Sequence, residues 1–195
     1  VSTEPNDNDF PVSRKTTLKG SRHLAREKVL QVLAATAGGD VSLDVAFNHV
    51  FFRQFTFDAK DSPEESQRIL HPDEVHELDA DVSIQWSDED IEYARAVIWA
   101  ARDQEATSTE LIDKYSKNWD LERIAMLDRI LMRLAIAELT ACPDIPVKVT
   151  INEVIELAKR YSTDKSGTFI NGVLDAVIVD LQNEQRIAKT GRGLL

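Results

Sequence analysis

Lys19, Arg22 and Arg26 stand at i, i+3 and i+7, the spacing that lines three cations along one face of a helix. Residues 14–28 carry six Lys and Arg (Arg14, Lys15, Lys19, Arg22, Arg26, Lys28) against one acid, Glu27, a local net of +5. Such a set can contact phosphate groups, helped by the field at a helix N-terminus. A solvated surface face would have the same composition, so charge alone does not choose. No comparable set suggests enzyme chemistry. His23, His49, His71 and His76 are scattered, and no HExxH, CxxC, glycine-rich phosphate loop or GxSxG occurs. His71, Asp73, Glu74, His76 and Glu77 come nearest to a metal set, but an acidic solvated loop explains them and no metal is assigned. Cys142 precedes Pro143 with no base near it in sequence. The residues predict a non-enzyme without a cofactor.

The whole chain carries a net charge of −11, which by itself argues against nucleic acid. The distribution of that charge argues otherwise. Residues 58–92 hold thirteen Asp and Glu against two Lys and Arg, a net of −11, so the other 160 residues sum to zero. Charges act over a Debye length of about 8 Å at physiological salt. A basic patch therefore survives on this chain if the acidic segment lies elsewhere.

The elements that must position these cations read as helices. Residues 1–18 are polar and aperiodic, an arm expected to be disordered. A first helix starts near Ser21, turns Ala25, Val29, Val32, Leu33 and Thr36 inward, and ends at Gly38-Gly39. A second, about 43–55, presents Val45, Phe47, Val50 and Phe51 or Phe52. Residues 57–87 lack periodicity and read as a long acidic surface loop or insertion. Helical pattern returns over about 88–104, capped by Ser87, then over about 108–117. The most periodic stretch, about 121–140, has a wide apolar stripe typical of a central helix. In the next helix Thr150 and Glu153 have capping-box spacing. The last carries Phe169, Val173, Ala176 and Val177, with an Asn171-Gly172 pair inside it. Glycine there costs about 1 kcal/mol against alanine and suggests close packing or the approach of a ligand. No strand pattern competes, so the class is all-α. A length of 195 residues fits one domain or two subdomains sharing a core. No apolar run reaches the roughly 18 residues of a membrane span. The polar, acidic start reads as no secretory leader, and the single cysteine fits a reducing cytoplasm.

Three blocks carry a family likeness. The first is INEVIELAKRY at 151–161 with FINGVLD at 169–175. The second is Trp119–Arg123 with DRILMRLAIAEL at 128–139. The third is Arg22-His-Leu-Ala-Arg26-Glu27. Through them the chain resembles the NusB family of bacterial transcription antitermination factors. The resemblance implies a NusB-like fold of about seven helices in two small packed bundles. It would occupy residues 19–188, with an acidic insertion at about 57–87 and a tail at 189–195. It also implies an RNA face at the first helix, where Arg22 and Arg26 occupy the matching positions, His23 and Leu24 replace residues that are often basic, and Lys19 extends the patch. Ala34 stands where the family often has an aromatic for stacking on a base, a contact worth about 1–3 kcal/mol. Phe169 is the replacement to consider, against an ordinary core role. Lys165, Ser166 and Asn171 complete the implied RNA set. Asp128 and Arg129 fall where Glu-Arg is usual, a region implied to face NusE, a small-subunit ribosomal protein.

The implied function is assembly without catalysis. With NusE the protein would recognise boxA-type single-stranded RNA and help RNA polymerase pass termination signals in ribosomal RNA transcription. Two alternatives remain at this point. One is a helical protein-interaction module without RNA binding. The other is the accessory domain of an RNA methyltransferase, for which the chain lacks the α/β domain that binds the methyl donor. A cytoplasmic monomer is expected, since no exposed apolar stripe is evident.

Overall fold

A computed structural model of the chain describes residues 17–53, 83–117, 124–189 and 193. The described residues form two units. In the smaller unit, β1 (Thr17–Lys19) pairs in parallel with β2 (Ser83–Gln85), Leu18 opposite Ile84. Gly20 N donates to Gln85 O at 2.8 Å, and a Cβ on Gly20 would sit 2.6 Å from the Trp86 ring, so that close approach requires glycine. This pairing corrects the expected absence of strands, and it ends the expected arm at residue 16 and the expected loop at residue 82. Three-residue strands are too short to show a period, which is why the pattern missed them. The rest of the arm and of the acidic insertion lies outside the described residues.

The larger unit is all helix: α1 (Arg22–Thr36), α2 (Leu43–Phe52), α3 (Asp88–Asp103), α4 (Glu105–Ser116), α5 (Met126–Ala141), α6 (Val147–Tyr161) and α7 (Ser166–Asn183). Serines begin three of them. The Oγ atoms of Ser21, Ser42 and Ser87 accept the amides of Leu24, Val45 and Asp90 at 3.2, 3.3 and 3.2 Å. Ser87 Oγ also donates to Asp90 Oδ2 at 2.8 Å, and α3 opens with Asp88, Glu89 and Asp90 in its first turn, where a helix favours negative charge.

Helix α5 is the axis, packing against α1, α3, α4, α6 and α7. Leu131, Met132, Leu134, Ala135 and Ile136 are fully buried, so apolar side chains leave α5 in every direction. Helices α1, α2 and α3 pack together, as do α6 and α7, with α4 against α7. An aromatic cluster joins α2 to α3. Phe47 stacks on Phe51 at 4.7 Å and meets Trp99 edge-on at 6.0 Å, with Arg95 4.4 Å above the Phe47 ring. Of the alternatives, Phe51 is buried, while Phe52 and Val45 are exposed.

Several boundaries differ from the sequence reading: α2 ends at Phe52 and α4 starts at Glu105, each about three residues earlier than expected. Helix α5 starts at Met126, later than expected, and Ile124 lies before it. Helix α6 starts at Val147, directly after Pro146. Thr150 is therefore no cap. It sits inside α6, fully buried, and donates to Glu138 Oε1 at 2.6 Å. The β-branched Val147 and Val149 made this turn look extended, and tertiary contacts override that weak preference. No helix among the described residues is long and apolar enough to cross a membrane.

Candidate nucleic-acid interface

Long side chains of α1 and α6 reach one another along a polar seam. His23 Nδ1 is 2.7 Å from Glu153 Oε2. Lower on the seam, Glu27 accepts from Arg160 Nη1 at 3.0 Å and from the Tyr161 hydroxyl at 2.6 Å. Burial and the Glu27 carboxylate push the Tyr161 phenol up to about 12. The outward side chains are basic: His23 is 51% exposed and Arg160 61%, and Arg22, on the α3 side of α1, is 36% exposed. The Arg160 guanidinium also lies over the Tyr161 ring at 5.2 Å. This surface thus combines two arginines and a histidine with an aromatic, the combination that holds single-stranded nucleic acid by charge and stacking.

Beneath it lies a polar centre built on Glu138, which is fully buried in α5. Arg26 reaches it through Nε at 2.7 Å and Nη2 at 3.3 Å, a two-pronged contact. The Tyr93 hydroxyl of α3 donates to Glu138 Oε2, and Thr150 of α6 to Oε1. Burial opposes the Arg26 charge, but Tyr93, Glu138 and Glu153 outweigh it and hold the guanidinium above its ordinary range. Burial and Glu138 keep the Tyr93 phenol neutral well beyond its usual range. Cys142, also buried, is pushed up to about 12 by burial and by the carboxylates of Glu138 and Asp144.

The expected site residues therefore separate. Arg22 and His23 stand exposed or half-exposed on α1. Arg26 is corrected: at 3% exposure and committed to Glu138, it is no surface cation. Lys19 is corrected as well. It belongs to β1 in the smaller unit, because the helix begins only at Arg22 and does not carry the i, i+3, i+7 face back to it. Ala34, in the aromatic's expected place, is half-buried.

Near α7, Lys165 is exposed at the helix entrance, and Asn171 bonds Asp175 at 3.1 Å. Asn171 also lines a cleft of about 320 Å³ with Ile155, Lys159, Asp164, Gly167 and Thr168. Gly172 beside it is exposed. Ser166 and Phe169 are buried, at 2% and 7% exposure. Phe169 is a core residue and Ser166 a structural one, so neither presents a surface to RNA.

Asp128 is also corrected. Expected on the partner-facing surface, it is 5% exposed and accepts from Ser162 at 2.6 Å and Ser166 at 2.8 Å. Arg129 is half-exposed and pairs with Asp113 of α4 at 2.9 Å. Among the described residues no group of three or more His, Cys, Asp or Glu is placed to hold a metal. The sequence reading missed Arg160 and Tyr161 as site residues. Both stand in the AKRY end of a block it had singled out, and the Lys-Arg-Tyr run was the available signal.

Comparison with known proteins agrees with this architecture. The profile of the NusB family matches residues 23–179. The transcription antitermination protein NusB of Salinibacter ruber is 52% identical over 86 residues, 44% of this chain and 54% of that protein. NusB of Natranaerobius thermophilus is 36% identical over 116 residues, 57% of this chain and 84% of that protein. NusB of Chloroherpeton thalassium is 52% identical over 84 residues, 43% of this chain. The matches span only 54% and 40% of the Salinibacter and Chloroherpeton proteins. The solved structure of T. maritima NusB superposes with a TM-score of 0.62 at 28% identity, covering 87% of this chain and 98% of that one. A chain from the crystal structure of a plectonemic RNA supercoil, 22% identical with a TM-score of 0.59, shares the fold. With the matched span running from the opening of α1 nearly to the end of α7, the chain belongs to the NusB family.

Proposed function

We propose that the protein is an RNA-binding transcription antitermination factor, acting with NusE on boxA-type RNA during ribosomal RNA transcription. The observation that carries this reading is the set of basic side chains on α1 and α6, with His23 and Arg160 at their seam, Tyr161 beside Arg160, and Arg22 on the α3 side of α1. Lys165 at the entrance of α7 adds a further exposed cation. Arg26 serves the site from beneath by tying α1 to α5. NusE would dock elsewhere on the helical unit, and the half-exposed Arg129 remains available to it. Each contact is weak, and assembly of RNA and two proteins makes them effective together. The protein works as a monomer in the cytoplasm, with residues 19–188 as its functional body and residues 1–18 and 189–195 as flanking segments.

The reading is tested by titrating boxA RNA with and without NusE across a salt series. Three to five phosphate contacts give a slope of log affinity against log salt of about −2 to −3.5. Replacing Arg22, His23 and Arg160 together by alanine is expected to flatten that slope by about 1.4, the value of two arginine contacts, and to lower affinity by about 100-fold at moderate salt. Salt-independent binding, or a triple variant that binds like the parent, would discard the proposal. One observation favours the interaction-module reading, namely that burial of Arg26 leaves the basic face thinner than the sequence suggested. Under that reading NusE binds and RNA does not.

A further inference from the structure

The first two turns of α3 hold Arg22 by three groups. The backbone carbonyl of Glu89 accepts from Nη1 at 3.1 Å. Asp90 Oδ1 lies 3.7 Å from Nε. The ring of Tyr93 lies under the guanidinium, its centroid 4.5 Å from Cζ. These contacts engage Nε, Nη1 and one face of the guanidinium, and none engages Nη2. The ring itself cannot swing away. Tyr93 is 5% exposed, its hydroxyl is tied to the buried Glu138, and the Arg26 guanidinium lies 5.5 Å from the same ring.

Arg22 and Tyr93 also line a cleft of about 340 Å³ with Glu89, Glu92 and Asp144. Without the ring, an arginine there would lose its flat seat and sample many orientations among those carboxylates. With it, the side chain stays flat and ordered while its Nη2 edge is left unengaged. An ordered arginine loses less freedom when it binds, and its fork suits the oxygens of a phosphate.

We infer that Tyr93 is a positioning residue for RNA, the seat that holds the Arg22 guanidinium flat and ready for a backbone phosphate. This rests on the RNA-binding reading above. It assigns to a buried tyrosine of α3 a part in recognition that it performs without touching RNA.

The test compares Tyr93→Leu and Tyr93→Phe in the full chain, with boxA RNA and NusE. Two readouts are used: the salt dependence of affinity, and the NMR shifts of the Arg22 side-chain protons without RNA. The leucine variant is expected to bind about three- to tenfold more weakly, and its slope to flatten by about 0.7, the value of one single-strand phosphate contact. The phenylalanine variant keeps the ring and is expected to keep the parent slope. Ring current should shift the Arg22 protons upfield in the parent and in Tyr93→Phe, but not in Tyr93→Leu.

A purely structural tyrosine would lower stability in the leucine variant and leave the slope unchanged, and that result overturns the inference. Should Tyr93→Leu fail to fold, the parent and Tyr93→Phe decide. Upfield Arg22 protons with a common slope uphold the seat, and unshifted protons or a flattened Tyr93→Phe slope reject it. Failure of the parent to bind RNA at all would overturn the RNA reading, and this inference with it.

Discussion

Glu138→Ala is expected to destabilise the protein by about 3–5 kcal/mol, the loss that follows when one member of a buried ion pair is removed. The carboxylate is fully buried and receives Arg26, Tyr93 and Thr150. Its removal strands a guanidinium that is only 3% exposed, together with two hydroxyl groups. The nearest substitute, Glu153, lies 3.5 Å from Arg26 Nη1 and is already engaged with His23. Chemical denaturation of the parent and the variant checks the value. A double variant, Glu138→Leu with Arg26→Met, should recover much of the loss, because apolar residues of similar volume often replace a buried pair without penalty. A single variant within about 1 kcal/mol of the parent would mean that the pair is not closed as described.

Asp128→Ala has the second-largest expected effect on stability, about 3 kcal/mol. Hydrogen bonds to a charged group contribute about 1.5–3 kcal/mol each, and Asp128 accepts two, at 2.6 and 2.8 Å. Its donors are Ser162, at the end of α6, and Ser166, at the start of α7. The two serines also lie 3.0 Å apart and can bond each other once the carboxylate is gone, which keeps the loss below the full sum. The damage should be local. Amides of the α6–α7 turn and the first turn of α7 should exchange with solvent faster, while α3 is little changed. Uniform acceleration across all helices would show that Asp128 does not act as a clamp on this turn.

The fold was legible because its helices announce themselves. Ser21 and Ser87 mark the starts of the helices they cap, and α5 repeats apolar residues on so many sides that only a central position suits it. The site was less legible, for a physical reason. Arg22 and Arg26 share one face of α1, yet one is exposed and the other buried, and the difference lies in a glutamate 112 residues away. Asp128 likewise belongs, by family likeness, to a partner-facing surface, yet in the fold Ser162 and Ser166 meet it in the interior. Periodicity tells which residues share a face of a helix, but not what packs against that face. Thr150 shows the same limit, since its spacing to Glu153 matches a cap while its hydroxyl serves the buried carboxylate. Arg160 and Tyr161 were overlooked because only the folded chain brings them to Glu27 of α1.

The buried carboxylate of α5 also bears on the order in which the protein assembles. Thr150 is separated from it by 12 residues, Tyr93 by 45 and Arg26 by 112. Contacts between distant parts of a chain form late, because a long loop must first be closed. The C-terminal helices can thus gather around α5 early, whereas α1 docks only after its arginine finds the waiting acid. Pulse-labelling hydrogen exchange during refolding should protect α5 and α6 before α1, and simultaneous protection would contradict this sequence of events. The surface proposed to meet RNA is then the last part of the molecule to mature.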